Sequence, residues 1–382
     1  MATTFVYDDL KTKYGGFVYP VALVKIEGED FASNKAGLAV SDIEVEMTSG
    51  FEASIATFWI YNSYDQTARS FRFDDIKSWI YIGSSVTIGL GYDSTAREIF
   101  QGFISGVRFV YPERGTPGVE VTAMDVKGIM MSGTYSKQLT ATTYSAAVKE
   151  ILEKTAYAKL KSGGIISSIN ITDTPDKSAS AGGSSESDRT IEMVCESDYE
   201  FVVKAAKKFN YEFFTVGGDV YFRKARSNTE VLIELGPEDG FRSFEIGYDI
   251  TGLVETVEVR GMDAGKSKAI SQTQKLQNKI SQGSKAKALL SKSEKVYIDP
   301  TVASATEAGY RADYLASEIS YRFGTLEAEL IGLPEMTVGR FIEIKNLGTA
   351  VSNTFYVVNV RHIMDSDQGY VTRVTGKAAS MK

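Results

Sequence analysis

Apolar residues recur at two different periods along this chain, and the switches between them outline its parts. From about residue 18 to 135 the period is two. Ile43, Val45 and Met47 alternate with Asp42, Glu44 and Glu46, the pattern of a strand with one face in a core. Ile55 to Tyr61 is nearly continuous apolar sequence, which predicts a strand covered on both faces. Val86, Ile88 and Leu90 alternate again before the turn Gly91-Tyr92-Asp93. Phe100 to Tyr111 reads as one long strand, and Gly102 and Gly106 inside it predict bulges or a bend. Val119, Val121 and Ala123 complete the set. Many short strands with Gly-rich turns predict an antiparallel barrel or sandwich over 1–135. Its first 18 residues read as an arm that needs a partner or a barrel edge to become ordered.

Between 136 and 240 the period lengthens. Thr143 can cap a helix carrying Ala147, Val148, Ile151 and Leu152 on one face. Ser197 and Glu200 form a capping box ahead of Phe201, Val202, Ala205, Ala206 and Phe209, a stripe at helical spacing. Asn210, after Lys207 and Lys208, reads as the helix stop. Two aromatic and β-branched runs, 211–216 and 220–224, then flank Gly217-Gly218-Asp219, a hairpin signal. Residues 161–190 are rich in Ser, Gly and Asp and read as a mobile surface insertion, or as a contact formed only in an assembly. This is an α+β middle region.

Strands return from 241 to 382: Phe244 to Ile246, Val254 to Arg260, Phe341 to Ile344, Phe355 to Ile363 and Val371 to Val374. Thr301 to Tyr321 interrupts them as an amphipathic helix with Val302, Ala305, Ala308, Ala312, Leu315 and Ile319 on its apolar stripe. Residues 264–296 carry Lys266, Lys268, Lys275, Lys279, Lys285, Lys287, Lys292 and Lys295 against one acid, Glu294. The segment reads as a solvated, partly helical excursion. The alternative is a basic arm that touches an acidic neighbour, with Lys266, Lys268, Lys275 and Lys279 as its contacts. GVRFV at 106–110 and NVRHI at 359–363 sit at comparable points of the two ends. The echo fits a duplicated β unit, although short strands of this kind also recur by chance.

Composition narrows the chemistry. The 382 residues carry 42 basic and 49 acidic side chains, a net charge of −7, so capture of nucleic acid by global charge is not expected. One cysteine cannot close a disulfide within the chain. No charged n-region leads into an apolar h-region, so the expectation is a soluble protein made in the cytosol. His362 is the only histidine, which removes clustered-His metal sites and every catalytic triad not built on it. It shares a face with Tyr356, Val358 and Val360 and reads as a packed, hydrogen-bonded residue. Cys195 reads as a small buried hydrophobe rather than a nucleophile. No phosphate-binding glycine loop or nucleophile elbow occurs, and no cofactor is expected. Carboxylates are plentiful, so a glycan-cleaving pair stays open, as does a glycan-binding β protein.

The succession of motifs carries a resemblance. GYDSTAREIFQGFISGVRFVYPERGTPGVEVTAMD (91–125), SDYEFVVKAAKKFNYEFFTVGGDVYF (197–222), VEVRGMDAGKSKAIS (257–271) and GLPEMTVGRFIEIKNLG with TFYVVNVRHIMDSDQGYVTRV (332–374) resemble, in that order, the baseplate hub family of contractile tails. That family includes late-control hub proteins of phages and the base domains of type VI secretion spike proteins. The resemblance implies a β-rich α+β fold, with two similar antiparallel β-barrel domains (1–135 and 241–382) flanking the α+β middle (136–240). It implies a homotrimer that is pseudo-hexameric, joining a six-fold tail tube to a three-fold spike. The expected role is structural rather than enzymatic, in the baseplate of a phage, tailocin or injection particle. Partners implied are a tail tube protein, a trimeric spike on a separate chain, and tape-measure, LysM-type adaptor or wedge proteins. The alternatives are a hub-associated peptidoglycan hydrolase and a type VI spike base lacking its needle.

Overall fold

The computed structural model describes residues 3–176, 191–263, 265–280, 284–348 and 351–381. Ten strands fall into two sets of five. The first holds β1 (Ala39–Thr48), β2 (Ile55–Tyr61), β3 (Ser85–Tyr92), β4 (Thr95–Val110) and β5 (Gly118–Met124). The second holds β6 (Phe241–Tyr248), β7 (Gly324–Ile331), β8 (Phe341–Ile344), β9 (Asn353–Asp365) and β10 (Gly369–Ala378). Alternation places each strand: Ile43, Val45 and Met47 are buried in β1, and Leu326, Ala328 and Leu330 in β7. In β2, Ala56, Phe58 and Ile60 are buried while Ile55 is exposed, so that strand is covered on one face and not on both. Its outer face stays tolerable because the Trp59 and Tyr61 rings stack on each other, 6.2 Å between centroids.

The first set pairs in the order β1-β2-β5-β4-β3 and the second in the order β6-β7-β10-β9-β8. The match extends to register. In the β4–β5 hairpin Phe103 faces Met124, Arg108 faces Glu120 and Val110 faces Gly118, with a bulge between Ile104 and Gly106. In β9–β10, Tyr356 faces Lys377, Arg361 faces Arg373 and Ile363 faces Val371, with a bulge between Val357 and Asn359. One constant shift in residue number superimposes every pair and the bulge. It also lays GVRFV on NVRHI. β2 against β5 and β7 against β10 keep step likewise, Phe58 facing Val121 as Ala328 faces Val374. So do β3 against β4 and β8 against β9, Ser85 facing Phe103 as Phe341 faces Tyr356. The copies differ in their inserts. Residues 49–54 join β1 to β2, whereas 249–323 join β6 to β7.

Neither set closes on itself. β8 is short, so β9 runs beyond it and takes β1 as a neighbour along its second half. The result is one 13-stranded sheet, open at β6 and at Glu29–Asp30, in place of two separately closed barrels. A single apolar cluster accordingly contains Val45, Phe58, Phe100 and Val121 together with Leu326, Ile342, Phe355 and Val360.

The middle region has its own apolar cluster. The helix Asp198–Phe209 starts on the expected capping box, with Ser197 Oγ accepting from the Glu200 amide and the Glu200 carboxylate accepting from the Ser197 amide. Asn210 ends it in the left-handed region at φ 58°. The hairpin Tyr211–Val216 and Asp219–Lys224 follows. Part of the 161–190 insertion is ordered structure: Ser168–Ile171 pairs in parallel with the second hairpin strand, because that strand would otherwise leave an unpaired edge. Residues 177–190 lie outside the described residues. Cys195 is exposed rather than buried, at φ 50°, with its Sγ 3.3 Å from Ser136 Oγ.

The lysine-rich segment is largely exposed and partly helical, as its sequence reads, and it also contributes strands. Lys268–Lys275 pairs antiparallel, and Glu294–Ile298 parallel, with the strand Thr256–Asp263; only Ser284–Leu290 is helical. Pairing with a central strand decides this, since Ile270 alone of the 268–275 strand is buried. The helix Ala305–Ser320 covers this small sheet through Ala308, Ala312, Ala316 and Ile319. Among the described residues no helix is long and apolar enough to cross a membrane.

Candidate assembly interface

β1 and β9, from opposite ends of the chain, meet in an antiparallel ladder from Asn359 opposite Thr48 to Met364 opposite Ile43. On the core face Val360 meets Met47 and His362 meets Val45, all buried. On the other face the Arg361 guanidinium reaches diagonally to Glu44, 2.5 Å away, and Asn359 donates to Glu46 at 2.8 Å. Glu44 holds the Arg361 pKa above its ordinary value. This junction combines an apolar face, a charged face and shared backbone bonds, the ingredients of a strand-mediated subunit contact.

The repeat supplies a second, unmated version of each side. By register, β6 corresponds to β1 and the second half of β4 to the second half of β9. Among the described residues β6 pairs only with β7, and the stretch Gly106–Val110 only with β5. Their side chains show the difference: Phe244 is 38% exposed where its counterpart Ile43 is 2%, and Phe109 is 40% exposed where His362 is 0%.

The 211–224 hairpin is wedged between the two sets. On one side Thr215 donates to Asp125, whose carboxylate also accepts from the Ser54 and Lys127 amides. Burial pushes the Lys127 pKa down, and its ammonium donates to the Glu52 carbonyl. On the other side Tyr356 and Arg223 both donate to Glu212, and Arg223 also reaches the Gly339 carbonyl. Burial raises the Glu212 and Tyr356 pKa values, so the trio is held by complementary partners in a dry site.

The N-terminal arm finds its partner within the chain. Its helix Tyr7–Lys13 lies against the second set, where Lys13 and Tyr14 both donate to Glu335. Sequence reasoning missed Glu335; a lone acid within the apolar turn GLPEMTVG was the available signal. His362 is fully buried and hydrogen-bonded as expected. Its Nε2 donates to the Met336 carbonyl at 3.1 Å and Nδ1 accepts from the Tyr370 hydroxyl at 2.9 Å. Burial lowers its pKa to about 4.

The four lysines do not form one patch. Lys268 and Lys275 occupy opposite ends of one strand, and Lys266 ion-pairs with Asp263 at 3.6 Å. Lys275 and Lys279 line a cleft of about 350 Å³ with Asn210, Arg226 and Asp313. All four are exposed. Among the described residues no three His, Cys, Asp or Glu side chains gather as a metal would require.

The architecture is that of tail proteins. The tail protein from Neisseria meningitidis MC58 superposes with a TM-score of 0.66 at 11% identity, over 94% of this chain and 97% of that one. The 43 kDa tail protein of prophage MuSo2 from Shewanella oneidensis gives 0.67 at 11% identity, over 94% and 98%. The E. coli c3393 protein gives 0.55 at 10% identity, over 92% and 76%; it is described as a type VI secretion component structurally similar to T4 phage tail proteins gp27 and gp5. No curated protein sequence matches the chain. By sequence, the chain belongs to the family of the Alg8 N-terminal domain, whose model matches residues 21–366.

Proposed function

We propose that this chain is a structural hub of a contractile tail or injection particle, a homotrimer that joins a six-fold tail tube to a three-fold spike. The observation that carries this reading is the five-strand unit repeated in register within one chain, in a fold shared with phage tail proteins. Three such chains offer six similar sheet units on one side and three copies of everything else. The work is done by strand edges and buried faces, without catalysis. On this reading the three regions 1–135, 136–240 and 241–382 act as two tube-forming units and a bracket between them. The two sets then line a closed channel only after neighbouring chains complete them. Lys275 and Lys279 beside the cleft, and Lys266 and Lys268 at the far end of the strand, offer two separate basic contacts to acidic groups of partners.

The test is the mass of the purified chain by light scattering, alone and mixed with its spike. A trimer is expected. Monomers or dimers under both conditions overturn the reading, as does peptidoglycan lysis abolished by a single Asp or Glu change.

A further inference from the structure

We propose that β6 of one chain pairs antiparallel with the second half of β4 of a neighbouring copy, in the register that β1 and β9 adopt within each chain. The inference rests on the trimeric reading above and specifies its contact. β1 and β6 occupy the same place in their sets, and so do β9 and β4, down to the bulge. Inside the chain one combination, β1 with β9, is already mated. The complementary one, β6 with β4, is left open at both edges.

Transferring the β1–β9 register gives definite pairs. Val360 opposite Met47 becomes Val107 opposite Tyr248; His362 opposite Val45 becomes Phe109 opposite Ile246; Met364 opposite Ile43 becomes Tyr111 opposite Phe244. Every pair on this face is apolar or aromatic. Phe109, Tyr111 and Phe244 are at present 40%, 65% and 38% exposed, and the pairing would withdraw them from water. On the opposite face the Arg361–Glu44 ion pair maps onto Arg108 and Glu245. The charges have the same signs at the same positions. Arg108 is 70% exposed at its side chain, free to turn from its own Glu120 toward a neighbour. An edge strand with aromatic side chains invites aggregation unless a partner covers it. A second copy is the occupant favoured here, because the chain itself contains the mated form of the same contact. The contact is head-to-tail, so each copy uses both edges and a ring of three leaves neither open.

Two sets of variants test this. Arg108→Glu and Glu245→Arg are expected each to weaken trimer formation roughly tenfold or more, and the double swap to restore it, while the monomer's melting falls only as far as Arg108→Glu replaces the cross-strand pair with Glu120 by a like charge. In a Cys195→Ser background, Val110→Cys with Glu245→Cys should give disulfide-linked dimers and trimers on non-reducing gels. Val110→Cys with Gly247→Cys, two residues out of register, should link far less. A wild-type trimer indifferent to the swaps and linked equally by both cysteine pairs overturns this register while the hub reading stands. Variants that lose only tube-protein binding also overturn it, assigning the edge to that protein. A wild-type chain that stays monomeric even with its spike ends both.

Discussion

The Tyr14 hydroxyl donates to Glu335 Oε1 across 2.8 Å, and Lys13 reaches the same oxygen from the adjacent position at 2.7 Å. Two residues of the N-terminal arm thus converge on one buried carboxylate of the second set, and burial raises the Tyr14 pKa, keeping its proton in place.

Replacing Glu335 by Ala removes the shared acceptor and strands a buried hydroxyl, a change that costs about 1–3 kcal/mol. Hydrogen exchange should locate the loss. Amides of Tyr7–Lys13 are expected to lose protection well before those of β4 or β9. Equal loss throughout the chain would mean that the carboxylate supports the core generally rather than clasping the arm.

His362 makes stability depend on pH. Its folded pKa, about 4, lies below the unfolded value of 6.5. The neutral ring is therefore favoured in the folded state, and the stabilisation is fully present above pH 6.5. As pH falls from 6.5 towards 4 the unfolded chain takes up a proton that the folded chain refuses, at a cumulative cost of about 3 kcal/mol. Below the folded pKa the loss levels off. Denaturant melts of wild type and His362→Gln across pH 7.5 to 4.5 should diverge in slope over that interval, the variant being flatter.

Gly339 sits at φ +76° in the turn before β8, and a Cβ there would lie 2.4 Å from the Phe214 ring. Gly339→Ala is expected to destabilise by about 1–3 kcal/mol, from backbone strain and crowding of the wedged hairpin. A paired Phe214→Leu change should recover part of that loss. Thermal melts of the single and double variants measure it.

Ser197→Ala deletes half of a reciprocal cap and is expected to cost about 1 kcal/mol. Ser197→Asp should recover most of it, since a carboxylate also accepts from the helix start. Chemical denaturation of both variants separates the cap from mere side-chain size.

Local grammar was readable in the sequence. Thr143 and Ser197 both cap helices, the Gly217-Gly218 turn makes its hairpin, and the β4 glycines flank a real bulge. GVRFV and NVRHI prove to be equivalent positions, because a repeated strand must repeat its alternation. What escaped reading depends on distant neighbours. β1 against β9 is a choice of edge partner, and no periodicity within either strand announces it. The 268–275 strand carries little apolar sequence, and its conformation is imposed by the strand beside it. Cys195, just ahead of the capping box, reads as a small buried hydrophobe from its residue type, yet it is exposed, at φ 50°, with its Sγ beside Ser136 Oγ. Glu335 is a single acid in an apolar turn, meaningful only once Lys13 and Tyr14 arrive from the far end of the chain.

Each chain holds two copies of the five-strand unit but only one excursion of the 249–323 kind. Any ligand that grips the excursion therefore counts chains, whereas one that grips the repeated strands counts units. The two tallies differ by a factor of two within the same molecule, and the long loop between β6 and β7 is what lets a neighbour tell them apart.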